Sequence, residues 1–135
     1  MKRTLMFFAL TTALISSAWA QTPAAVGDKE TGIAAVYSDA LDGHATASGQ
    51  VYDKSKLTAA HKTLPFGTKI KVTNPKNNRS VVLRVNDRGP MQAGRMLDIS
   101  PAAAARLHIS PKVMREVTLE VASLGNGKTT RQAAK

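Results

Sequence analysis

The chain has 135 residues, 43% of them hydrophobic and 4% aromatic, with a formal net charge of +10 and no cysteine. That length supports one modest core and not two, and the missing cysteine excludes disulfides, thiolate metal sites, a Cys nucleophile and lipid attachment through sulfur. The charge favours a polyanionic partner, whether nucleic acid, anionic lipid or an acidic wall polymer, or else serves solubility alone.

Residues 1–20 have the layout of a secretory signal: Lys2 and Arg3, an apolar stretch over residues 5–15, then Ala18-Trp19-Ala20 as a small-x-small cleavage site. The stretch is short for a bilayer span. The expectation is cleavage before Gln21, no stable membrane anchor afterwards, and a mature charge two lower, at +8. An exported chain meets envelope polymers before nucleic acid, and no aromatic stacking set alternates with the basic residues, so a nucleic-acid partner is not expected.

Residues 21–31 lack periodicity and read as a flexible leader. Residues 32–37 are small and β-branched, as in a buried strand, and residues 38–49 form a loop rich in turn formers. Residues 58–61 fit a short buried strand. Residues 68–73 then alternate with period two, Ile70 and Val72 on one face and the lysines on the other. A turn cluster at 74–78 leads to a second strand over 79–85, with Val81, Leu83 and Val85 on one face, which makes a β-hairpin.

Asn86-Asp87-Arg88-Gly89-Pro90 closes that strand in a tight turn and leaves the Asp87 carboxylate at the strand end. Residues 96–99 form a further strand. Ser100 and Pro101 are an N-cap and first-turn pair for a helix over 102–107. Residues 115–121 alternate again as the last strand, and 125–135 read as a disordered tail. Short strands, a short helix and many turns describe a compact barrel better than a doubly wound sheet.

Asp87 is the leading candidate for chemistry, a carboxylate at a barrel rim within reach of a polymer; the alternative is an Asx-type turn in which it bonds backbone amides. His61 is either a catalytic partner or a hydrogen-bonded structural residue. Asp98, between two apolar residues, needs a partner in Arg95 or Arg88, as a structural ion pair. Asp42, His44 and His61 lack the spacing of a zinc site. No metal or other cofactor is expected, and neither a phosphate-cradling loop nor a G-x-S-x-G elbow occurs.

Three ordered stretches carry a family resemblance: Thr46-Ala47-Ser48-Gly49 with Tyr52 and Asp53; the run over residues 57–68 that contains Ala60-His61-Lys62-Thr63-Leu64-Pro65-Phe66-Gly67; and Val85-Asn86-Asp87-Arg88-Gly89-Pro90 with Gly94-Arg95 and Leu97-Asp98-Ile99-Ser100. Over residues 32–121 the chain resembles the rare lipoprotein A (RlpA) family of septal-ring lytic transglycosylases. The resemblance implies a mainly β fold, a six-stranded double-psi β-barrel with one or two short helices, spanning residues 32–123.

It also implies an endolytic peptidoglycan lytic transglycosylase in the cell envelope, most simply the periplasm. Such an enzyme cuts the MurNAc–GlcNAc bond to leave 1,6-anhydroMurNAc ends. Asp87 would be the acid/base and His61 its support, with Gln50, Tyr37, Thr46, Ser48, Arg88 and Asp98 binding substrate. The implied partner is the peptidoglycan glycan strand, with divisome or wall proteins as further candidates and a monomer as the working form. Gln50 stands where the family usually has Glu, and it cannot accept a proton. Tyr37, Tyr52 and Phe66 are the aromatics left for sugar stacking once the signal is removed. These departures keep open the alternative of an expansin-like module that binds or loosens the wall without cutting it.

Overall fold

A computed structural model describes residues 22–129; the expected signal peptide lies outside these residues. Six strands, β1 (Lys29–Val36), β2 (Thr58–His61), β3 (Lys69–Asn74), β4 (Arg79–Asp87), β5 (Arg95–Ile99) and β6 (Arg115–Ser123), close into a barrel in the order β1-β5-β2-β4-β3-β6. The β1–β5 and β2–β4 pairs are parallel and the other four antiparallel. This is the double-psi β-barrel that the resemblance implies. Among the described residues one α-helix, α1 (Pro101–Leu107), and a single 3-10 turn at Asp39–Leu41 accompany it.

The period-two patterns become the two faces of the barrel wall. Ile70 and Val72 on β3, Leu83 and Val85 on β4, Leu97 and Ile99 on β5, and Val117 and Val121 on β6 point inward and are almost wholly buried. Each such side chain contributes about 1.5–3 kcal/mol on leaving water. The expected hairpin is β3–β4, in the register Val72↔Val81 and Ile70↔Leu83. Ser100 caps α1 by accepting the Ala103 amide at 3.2 Å, and the helix lays Ala103, Ala104 and Leu107 against the core.

Strand ends shift by one or two residues, with β4 running through Asn86 and Asp87 of the expected turn, and two boundaries differ by more. β1 begins at Lys29, so residues 29–31, assigned to the leader, pair with β6 through Lys29↔Glu120, Glu30↔Leu119 and Thr31↔Thr118. Their charges mask the strand because this end of β1 is exposed. The start of the expected disordered tail is tied down: Gly125 donates to Thr68 Oγ1 at 3.0 Å and the Gly127 amide to the Phe66 carbonyl at 3.1 Å. A Cβ on Gly125 would collide with the backbone of Phe66, Gly67 and Thr68, so only glycine allows this close approach.

Candidate active site at the barrel rim

Register gathers the acidic residues at one end of the barrel. On β2, Ala60 lies between Asp87 of β4 and Asp98 of β5, and Asp98 in turn faces Ala35 of β1. Tyr37 follows β1 and is fixed there by its amide, which donates to the Ile99 carbonyl at 2.9 Å. Residues far apart in the chain thus converge because the antiparallel β2–β5 pairing joins the parallel pair β2–β4 to the parallel pair β1–β5.

Both Asp87 oxygens are engaged. Oδ1 accepts the amides of Ala47 and Arg88, each at 2.9 Å, while Oδ2 accepts the Tyr37 hydroxyl at 2.6 Å. Oδ1 is thus bonded to backbone amides, as the turn reading of Asp87 has it, and Oδ2 is held by a side-chain donor. Burial, and then the bond to Asp87, push the Tyr37 hydroxyl far above its ordinary range. It remains a neutral donor. Its ring packs on Tyr52, with centroids 4.8 Å apart, and burial pushes the Tyr52 hydroxyl up to about 12.

The Ala47 amide is aimed by the Thr-Ala-Ser-Gly turn. Thr46 Oγ1 donates to the Gln50 carbonyl at 2.8 Å and lies 2.9 Å from Ser48 Oγ, and the Gly49 amide closes the turn on the Thr46 carbonyl. Ser48 is 2% exposed. These two hydroxyls, expected on substrate, build the turn that holds Asp87.

Arg88 is also occupied within the fold. Its Nη1 donates to the carbonyls of His61 at 3.1 Å and Leu64 at 2.7 Å, and the guanidinium lies over the Phe66 ring, 4.0 Å from the centroid. Asp98 is paired with Arg95 at 2.7 Å, the partner that the sequence left open between Arg95 and Arg88. Burial raises the Asp98 carboxyl above the usual carboxylate range, the charge of Asp87 adds to the shift, and Arg95 opposes it.

The structure does not bring the His61 ring to Asp87. Nδ1 accepts the amides of Thr63 and Leu64 at 3.1 and 3.0 Å, which leaves the ring proton on Nε2, 3.0 Å from Glu30 Oε2. His61 reaches the Asp87 turn through its backbone carbonyl and Arg88. Glu30, overlooked in the sequence because it fell in the expected leader, lines with His61 a cavity of about 610 Å³. Gln50 lines a groove of about 300 Å³ with Ser48, Phe66, Arg84 and Asn86. Among the described residues no group of three or more His, Asp or Glu is placed to hold a metal ion.

The arrangement fixes one carboxyl at the barrel rim: Oδ1 is held by two amides, and Oδ2 by a hydroxyl that stays neutral. A profile of the family described as lytic transglycolase matches residues 29–123. The endolytic peptidoglycan transglycosylase RlpA of Campylobacter jejuni is 44% identical over 108 residues, covering 80% of this chain and 39% of that protein. The RlpA of Vibrio cholerae is 41% identical over 109 residues, 81% of this chain and 41% of that one. The chain therefore spans about two fifths of the length of these relatives.

Among solved structures, Streptomyces papain inhibitor superposes with a TM-score of 0.55 at 25% identity, covering 70% of this chain and 94% of its own. An expansin from Clavibacter michiganensis superposes equally well at 20% identity, over 70% of this chain and 50% of its own. The expansin likeness is one of fold.

Proposed function

The chain belongs to the RlpA-like lytic transglycolase family, and from that premise we propose that it cleaves the MurNAc–GlcNAc bond within peptidoglycan glycan strands. Asp87 is the acid/base. Its proton passes to the glycosidic oxygen as the bond to muramoyl C1 breaks; the carboxylate then takes the proton of the muramoyl 6-hydroxyl as O6 bonds to C1. A 1,6-anhydro end forms, Asp87 is again protonated, and no water is consumed. One carboxyl serves both steps, unlike the pair that hydrolytic glycosidases use.

The observation that carries this reading is the 2.6 Å bond from the Tyr37 hydroxyl to Asp87 Oδ2 at the barrel rim. In this scheme Tyr37 and the 46–50 turn position the acid, and Gln50 contacts the sugar. His61 and Arg88 brace the loop beneath it. We read residues 1–20 as the export signal and the cell envelope, most simply the periplasm, as the place of action, with the protein working as a monomer on glycan strands.

Mass spectrometry of purified glycan strands after incubation tests the proposal. The wild type is expected to release anhydromuramoyl fragments and Asp87→Asn none, with the fold unchanged. Retained activity in Asp87→Asn removes Asp87 from the mechanism. A second reading, a wall-binding module without cleavage, draws on the turning of His61 toward Glu30 and on the uncharged Gln50. It predicts that both proteins sediment with the glycan and neither cuts it.

A further inference from the structure

Lys69 and Arg84 stand directly opposite one another on β3 and β4, both exposed. Like charges so placed destabilise an antiparallel pair. Among the described residues the lysine or arginine in contact with a carboxylate is Arg95, with Asp98, so neither Lys69 nor Arg84 is paired with one. A cost in stability without a compensating contact points to a ligand.

Arg84 lines the groove of about 300 Å³ together with Gln50, Phe66, Asn86 and Lys128, the last supplied by the strap that Gly125 ties down. A smaller cavity of about 150 Å³ shares Gln50, Arg84 and Asn86 and adds Lys56, Thr58 and Asp53. Asp53, the one carboxylate there, is engaged by the amide and hydroxyl of Ser55. Thr58 Oγ1, a hydroxyl able to donate, is buried there without a hydrogen-bond partner, a condition that folded proteins keep rare. Ser48 of the turn that holds Asp87 also lines the groove, which ties its wall to the turn beneath the reacting carboxyl.

We propose that this groove is a subsite for a carboxylate carried by the glycan strand, read by Arg84 and Lys128. The Arg84 fork matches a carboxylate in geometry and charge, and among the described residues the larger groove, with Gln50 in its wall, is lined by no carboxylate. The inference rests on the glycan reading above and assigns its selectivity: the protein distinguishes a muramoyl strand from a neutral amino-sugar polymer by charge. The carboxylate is either the lactyl group of a bare strand or that of a stem peptide.

The test is binding, measured in the Asp87→Asn background so that cleavage does not intervene, to bare glycan strands, to strands with stem peptides and to chitin oligosaccharides of equal length. The muramoyl strands are expected to bind about tenfold more tightly than chitin. Arg84→Gln and Lys128→Gln should each remove most of that difference and leave chitin binding unchanged. Arg84→Gln should also hold or raise the melting temperature, an outcome that a structural role for Arg84 would not give.

Tighter binding of bare strands assigns the lactyl carboxylate, and tighter binding of peptide-bearing strands assigns the peptide. Equal binding of chitin, or wild-type selectivity in Arg84→Gln combined with Lys128→Gln, overturns the subsite. Anhydro product is scored separately with wild-type protein, so charge-selective binding without cleavage would overturn the catalytic proposal and leave the subsite standing.

Discussion

The Tyr37 hydroxyl reaches Asp87 Oδ2 at 2.6 Å across 50 residues of chain, tying the end of the first strand to the end of the fourth. Because burial and Asp87 itself raise the Tyr37 hydroxyl far above its usual range, this donor keeps its proton throughout the pH range of a wall enzyme. Tyr37→Phe preserves the ring contact with Tyr52 and removes the bond alone. The turnover number for anhydromuramoyl release should fall about 10- to 100-fold, the worth of a hydrogen bond to a charged group, with a nearly unchanged melting temperature. Full turnover would show that Oδ2 needs no orientation.

Arg88 tests whether the turn is braced from below. Lysine keeps the charge but cannot span the carbonyls of His61 and Leu64 while lying flat on Phe66. Arg88→Lys should cost about 1–3 kcal/mol in denaturant unfolding, because a buried carbonyl loses its donor. Activity should fall with it, since the Arg88 amide is one of the two that fix Asp87 Oδ1. Unchanged stability would mean that these contacts are dispensable.

Asp98 supplies a prediction in pH. Its carboxyl is raised in the folded protein, chiefly by burial, so between the unfolded value and the folded one the native state binds more protons than the unfolded state. Stability should therefore decline as pH rises through that window. Asp98→Asn should remove this part of the slope, read as the difference between the two melting-temperature profiles from pH 4 to pH 7. Parallel profiles would place Asp98 at an ordinary carboxylate value.

Gly125→Ala probes the strap. The added methyl meets the backbone of residues 66–68, which cannot yield cheaply, and should cost about 1–3 kcal/mol. Limited proteolysis should then cut at Lys128 faster than in the wild type, and binding of muramoyl strands should weaken along with the loss of that groove wall. Wild-type proteolysis would show that the strap adapts in place.

Local regularity was legible in the sequence. The alternation over residues 68–73 and 79–85 located the β3–β4 hairpin because a half-buried strand enforces period two, and Ser100-Pro101 located α1 because a helix start has few chemical solutions. Asp87 stood out because a carboxylate in a Gly-Pro turn at a strand end has little reason to be buried. The contacts that give these residues their roles were not legible. Tyr37 with Asp87, His61 with Glu30 and Arg88 with Leu64 are set by barrel closure between strands distant in sequence. Glu30 was hidden by its charged neighbours, and the Gly125 strap by a composition that also suits disorder. Those two segments pack edge-on, with backbone bonds in place of an apolar face.

The strand order has one more consequence, for how the chain must assemble. β3–β4 is the single pairing of consecutive strands; β1 waits for β5 and β6, and β2 for β4 and β5. A chain emerging amino end first carries its opening strand unmatched until nearly all the rest has followed, and only the last strand seals the ring. Nucleation is thus expected at the hairpin, with both ends joining late. The Asp87 turn, at the outgoing end of that hairpin, would exist before the tyrosine that orients it has arrived.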